Sequence, residues 1–412
     1  MTLKKKNSAA ARLLAAVLMF VSLWSCSSEK AGDWELVASN LPADARVVAT
    51  VSSALFDMMK EGENAIDADV VKAFPPEYLL YVDCVSGSFF TWPVRDPEKA
   101  TAAISDWEQV EIGHTGEDAR AVATRNAVVV CDGRQTWLFP GTTDIAKTMS
   151  AVGQMCDDAR RGDKELSERG LCSNPTAMSV ITTPPGEGTF KIYANVDSHP
   201  LTVDLSVTHT QSGRLGFGYK AVVKRHDESG AVVPLSSSVR QPDAEWVKNQ
   251  VYDRYTHFSA LASASFKRGA LAEMLSSVVT PYLTITQRVA MGTVVPLLRN
   301  AEGPVFASAE YADGQGRYQL VVCFADAQSA SQAASRLTNL AAGRVPGLGI
   351  AAKGNEVRFS YNGEWPEPLA SPERNGISDF RLTVQPEHAV LSFESATSPA
   401  EGVGMLLGLL TR

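Results

Sequence analysis

The chain has 412 residues, with 38 Lys and Arg against 46 Asp and Glu, a formal net charge of −8 and 45% hydrophobic residues. That length holds two or three domains' worth of chain, and the hydrophobic share is that of an ordinary globular protein. An acidic chain with no basic tract argues against nucleic acid or an anionic lipid surface as the main partner.

The N-terminus carries Lys4, Lys5, Lys6 and Arg12, then the uncharged apolar run Leu13 to Leu23, then Leu23-Trp24-Ser25-Cys26. A basic start, a short apolar core and a small residue before a cut form the pattern of a secretory signal. The apolar run of 11 residues is shorter than the roughly 20 that a spanning helix needs. Leu23 and Ser25 resemble the lipobox read by bacterial lipoprotein signal peptidase, with Trp24 at its permissive position. The expectation is a signal peptide over residues 1–25 and a lipidated Cys26 as the first mature residue. The resemblance implies a diacylglyceryl thioether and an N-acyl chain such as palmitate on that cysteine. Two or more acyl chains, at about 0.8 kcal/mol per buried CH₂, anchor a protein firmly without a transmembrane helix.

Ser27 is not the Asp of inner-membrane retention, so the outer membrane is the expected address. Ser28-Glu29-Lys30 leaves its periplasmic and surface faces open. Removing residues 1–25 takes away four basic residues and leaves 34 against 46 acids, a net charge of −12. Residues 26–40 read as a lipidated tether, reaching at most about 45–50 Å.

A first α+β unit is expected over residues 41–140. Val47 to Val51 reads as a strand, and Phe56, Met58 and Met59 carry helical signal. Leu79 to Ser86 turns at Gly87 into Phe89 to Val94. Asp96-Pro97-Glu98 has an N-cap carboxylate, Pro at N1 and an acid in the first turn, opening a helix expected to reach Trp107. Ala119 to Thr124, Val128 to Cys131 and Thr136 to Phe139 read as short strands separated by Arg125-Asn126 and Asp132-Gly133.

A helical connector follows over residues 141–172. Residues 173–240 read as antiparallel hairpins, with clean alternation in Phe190 to Tyr193 and Leu201 to Leu205. A second α+β unit is expected over residues 255–366. In it, Val305 to Ala312 turns into Tyr318 to Phe324, and Asp326 caps a helix ending near Leu340. Ile350 to Ala352 then turns at Gly354-Asn355 into Val357 to Tyr361, and Asn362-Gly363 turns again. Residues 376–412 read as a C-terminal hairpin and an apolar tail.

The two units share intervals. Asp96 to Asn126 spans 30 residues and Asp326 to Asn355 spans 29; Gly87 to Asp96 spans nine and Gly316 to Asp326 ten. The expected fold class is therefore α+β: two repeated β-α-β-β-α-β, ferredoxin-like units with antiparallel sheets, plus a middle antiparallel hairpin segment.

The motifs of common chemistry are missing from the sequence. The six histidines form no HExxH or i,i+4 pair, and there is no GxSxG. Glycine-rich pieces lie in hairpins rather than before helices, as turn glycines do. The reading is that the protein is not an enzyme and carries no metal and no cofactor. Five cysteines follow Cys26. Cys156 and Cys172 bracket a charged stretch, which leaves a disulfide between them or two thiols as the alternatives. Trp92, Trp137 and Trp365 are candidate ligand-facing aromatics for sugar rings, with core packing as the other reading.

The lipobox, Pro42-Ala43-Asp44-Ala45 ahead of a Val-rich strand, and Phe89-Phe90-Thr91-Trp92-Pro93-Val94-Arg95-Asp96 together resemble a family of outer-membrane lipoproteins of the Bacteroidetes (Bacteroidales). That family brings no assigned reaction, so the resemblance implies location and organisation only. The expected function is a lipid-anchored cell-envelope protein with a non-catalytic binding or structural role. The alternative is a glycan-binding or glycan-processing envelope lipoprotein. The expected partners are the membrane through the lipid anchor, and an envelope protein or glycan.

Overall fold

A computed structural model describes residues 33–52, 77–94, 96–104, 107–111, 118–161, 165–186, 188–196, 199–209, 216–235, 238–250, 258–276, 285–312, 315–342, 346–364 and 377–395. The chain divides into two compact units. The first comprises residues 1–200 with 228–230 and 407–412, and the second comprises residues 201–227 with 231–406.

The first unit begins with helix α1 over residues 33–39. Its strands are β1 (Val47–Ser52), β2 (Tyr78–Cys84), β3 (Gly87–Pro93), β4 (Glu108–Glu111), β5 (Asp118–Ala123), β6 (Ala127–Cys131), β7 (Gln135–Pro140) and β8 (Thr189–Val196). Its other helices are α2 (Pro97–Ala102), α3 (Ile145–Arg160) and α4 (Pro175–Ile181). The strands pair in the order β8-β1-β2-β3-β7-β6-β5-β4, and every pair is antiparallel.

Continuous apolar runs explain why this sheet is covered on both faces. All five residues of β6, Ala-Val-Val-Val-Cys, are buried, whereas a strand with one wet face alternates. Local chemistry sets the helix starts. The Asp96 carboxylate accepts from the Lys99 backbone N–H at 3.1 Å, and Asp144 accepts from that of Lys147 at 3.0 Å. Each satisfies a donor that the first helical turn leaves unpaired. Helix α2 ends at Ala102 rather than near Trp107.

The second unit holds β9 (His199–His209), β10 (Phe217–His226), β11 (Val232–Val233), β12 (Val239–Arg240), β13 (Phe258–Phe266), β14 (Ala301–Ala312), β15 (Gln315–Phe324), β16 (Gly349–Lys353), β17 (Glu356–Glu364), β18 (Ile377–Val384) and β19 (His388–Ser395). Its helices are α5 (Ala244–Lys248), α6 (Ala270–Met274), α7 (Ile285–Val294) and α8 (Ala327–Ala341). The main order is β16-β17-β15-β14-β13-β18-β19-β10-β9, with β12 beside β13 and β11 beside β10. The one parallel pair among the described strands is β13 with β18. Ala330, Ala333, Ala334 and Leu337 of α8 pack with Ala264, Val322, Phe324 and Val357 in one core cluster. Leu261, Phe306 and Val321 point to the opposite face, where Trp246 and Val247 of α5 pack on them.

This architecture corrects the expected fold class. The described strands pair into one extended sheet in each unit, all antiparallel in the first and mixed in the second through the β13–β18 pair, not into two discrete ferredoxin-like units with a middle hairpin segment. In a split β-α-β unit a crossover brings the next strand in parallel to the first. Here β1 pairs antiparallel with β2 and β13 antiparallel with β14, so both units contain meanders. The matched intervals reflect similar hairpin lengths, not shared pairing. By spacing, β6 is the counterpart of β17; yet β17 pairs directly with β15, while β3 pairs with β7. Asn362-Gly363, expected to turn, continues β17 opposite Arg317 and Gly316. The middle segment is divided: β8 lies beside β1, and β9 and β10 join β19.

Candidate binding groove

The site grows out of a mismatch in length within the second unit. Helix α8 has 15 residues, roughly 22 Å at 1.5 Å per residue. Strand β14 has 12 residues, roughly 40 Å at 3.4 Å per residue. The helix packs on β15, β16 and β17, so part of the apolar sheet face lies beyond it.

Register shows which residues share that face. Ala262, Ala307, Leu320 and Phe359 stand directly opposite one another across β13, β14, β15 and β17. They are two residues along from Ala264, Val305, Val322 and Val357, so they belong to the face that α8 covers. The next row holds Ala309, Tyr318 and Tyr361, again directly opposite one another. Together with Leu348 these two rows line an open groove of about 400 Å³.

The alanines make a flat floor on β13 and β14. Larger side chains make the wall on β15 and β17. The Tyr318 and Tyr361 rings lie 5.8 Å apart and tilted by 40°. Glycines let these rings lie close to the backbone. A Cβ on Gly316 would come within 2.8 Å of the Tyr318 hydroxyl. Gly347 has φ +84° and sits 3.7 Å from the Tyr361 ring, measured to an ideal Cβ. Burial pushes the Tyr318 hydroxyl pKa up, so that phenol stays neutral across ordinary pH. No carboxylate, imidazole, thiol or amine lines the groove among the described residues. The arrangement can hold an apolar group.

A larger cavity of about 540 Å³ lies in the first unit, lined by Asp44, Cys84, Asp158, Arg161, Glu168 and their neighbours. Two of its charges, Asp158 and Arg161, form an ion pair with each other. The Cys84 thiol is buried, points to the Gly87 carbonyl at 3.4 Å and has its pKa raised by burial. Among the described residues, no group of three or more His, Cys, Asp or Glu is placed to hold a metal ion.

The residues singled out in the sequence lie elsewhere. Trp92 and Trp137 are 2% and 0% exposed. Trp92 stands opposite Thr136, and Trp137 opposite Thr91, so the two rings point to opposite faces of the first unit's sheet. Neither can offer a face to a sugar ring. Trp365 and Cys26 lie outside the described residues. Cys156, buried in α3, and Cys172, half-buried, are both thiols. The Cys172 sulfur donates to the Glu35 carbonyl at 3.1 Å, and burial, helped by the Glu35 carboxylate, pushes its pKa up to about 11.

The groove residues were missed because tyrosine, phenylalanine and alanine in alternating strands read as ordinary core. The signal was present in the alternation of Tyr318, Leu320, Val322 and Phe324 with that of Val357, Phe359 and Tyr361. Those apolar stripes are longer than α8 covers.

No helix among the described residues is long and apolar enough to cross a membrane. No family model matches the chain, and no curated protein matches it. A solved structure described as "Structure of crystal form I of TP0453" aligns with 79% of this chain and 92% of that one, at 8% identity and a TM-score of 0.23. A likeness that distant carries no argument about fold or function.

Proposed function

We propose that this chain is a lipid-anchored protein of the outer membrane, and that its second unit binds a ligand in the apolar groove without performing chemistry on it. The observation that carries the binding role is the groove itself. Its volume of about 400 Å³ falls in the usual range for small-molecule sites, roughly 300–1,000 Å³. The anchor rests on Leu23-Trp24-Ser25-Cys26 behind a short apolar run and on the resemblance to Bacteroidetes lipoproteins. The glycan alternative loses the support of Trp92 and Trp137, which are both in the core.

Native mass spectrometry of the full-length protein purified from envelopes tests the binding role. The wild-type chain is expected to retain a bound molecule in defined stoichiometry. Ala307→Trp, which puts an indole on the groove floor, is expected to lose it while keeping the wild-type circular dichroism spectrum. Equal retention by both proteins, or none by either, contradicts the proposal.

A further inference from the structure

Resting on that reading of the groove, we propose that its ligand is one hydrocarbon chain of an amphiphile, of the fatty-acyl kind, lying across β14, β15 and β17 with its head group outside.

Three features select this class. The first is wall chemistry. Leu320, Leu348 and Phe359 offer C–H surface, Tyr318 and Tyr361 offer ring faces, and the floor is alanine methyls. A sugar, nucleotide or phosphate group would give up its hydrogen bonds to water there and find few in return. A polar head group therefore stays in solvent, which the open side of the groove allows.

The second feature is the backbone under the groove. Strand β14 is paired on both sides, by β13 and β15; β15 by β14 and β17; and β17 by β15 and β16. An extended peptide gains affinity by adding to a free sheet edge, and this floor has no edge to give. An extended peptide would leave its own N–H and C=O groups unpaired against apolar walls. A hydrocarbon chain has none to satisfy.

The third is size. At roughly 30 Å³ for each water-sized group, a groove of about 400 Å³ holds about a dozen methylene-sized groups. That is most of one acyl chain.

The test is photolabelling of the full-length protein with a diazirine-bearing palmitate, with the adducts mapped by peptide mass spectrometry. Adducts are expected on peptides of β14, β15 and β17. Unlabelled palmitate should compete them away, and Ala307→Trp or Ala309→Trp should lower them about tenfold. The competition arm needs no variant, so it decides even if both variants misfold. Adducts spread over the surface, or unaffected by unlabelled palmitate, overturn the proposal. If the native protein retains a molecule without an acyl chain, the ligand class falls and the binding reading stands. If it retains nothing, both fall.

Discussion

Two polar clusters, one buried and one half-buried, show what single residues do here. In the first unit, Asn40 Nδ2 donates to Gln135 Oε1 at 3.0 Å, and Gln135 Nε2 donates to Thr91 Oγ1 at 2.8 Å. Thr91 Oγ1 in turn donates to the Thr136 carbonyl at 2.8 Å. Gln135 and Thr91 are 0% exposed, so no water replaces a lost partner. Gln135→Leu keeps the volume and removes two of these bonds. At about 1–3 kcal/mol for each buried group left short of a partner, urea unfolding should show a loss of about 2–6 kcal/mol. In the second unit, Glu356 accepts from Trp246 Nε1 at 2.9 Å and from Arg358 Nη2 at 2.6 Å. Burial works against its charge, but these hydrogen bonds and the Arg358 charge outweigh it and hold the carboxyl below the usual carboxylate range. Such a depressed pKa contributes stability that is full above the unfolded value of about 4.3 and is lost as pH falls toward the folded one. Glu356→Gln should therefore unfold at lower urea than wild type at neutral pH, with the gap closing below about pH 4. A gap that stays constant with pH would contradict this.

At the scale of elements, local signals were legible and long-range ones were not. Asp96 and Asp326 cap the helices expected of them. Asp326 Oδ1 accepts from the Ser329 N–H at 2.7 Å, because a short carboxylate reaches the donors of its own first turn. The turns at Asp132-Gly133 and Gly354-Asn355 form where Gly133 and Gly354 take φ of +84° and +60°. Strand partners were misread because direction and neighbour depend on contacts far apart in sequence. Nothing local in Phe89 to Pro93 says that β7 will pair with β3 rather than β6. The groove escaped for the same reason: its two rows come from four strands, and only register aligns them. Helix α1 is a further case. Residues 26–40 read as a tether, yet Trp34, Val37 and Ala38 are buried and Trp34 stacks on Tyr78 at 4.4 Å. The turn Gly170–Ser173 sits against the end of α1. Gly170 has φ +50°, and a Cβ there would run into the carbonyl oxygens of Leu41 and Ala38. A strained left-handed residue alone costs about 1–3 kcal/mol, and backbone offers no flexible end to yield. Gly170→Ala should lower unfolding stability by more than about 2 kcal/mol. A variant of wild-type stability would show that α1 and this turn are not tightly packed.

For the whole molecule, the buried start of α1 shortens the reach of a lipid anchor. From Cys26 to α1 only residues 27–32 remain, at most about 20 Å when extended, rather than 45–50 Å. An acylated Cys26 would hold the first unit close to its leaflet by hydrocarbon insertion, without help from net charge, which is −8. Cys26→Ser is expected to abolish metabolic labelling by palmitate and to move the protein out of the membrane fraction. Retention with wild-type efficiency would contradict the anchor.

The groove in the second unit is the proposed working surface of this protein. A photo-crosslinking phenylalanine analogue incorporated at Tyr361 in living cells, where it replaces a ring of similar size, is the most direct test, with Lys220 as the control. Tyr361 lines the groove, and Lys220 is exposed on β10. A discrete adduct of small, lipid-like mass is expected from position 361 and none from position 220. Equal crosslinking from both positions, or no adduct at 361, would contradict the binding role.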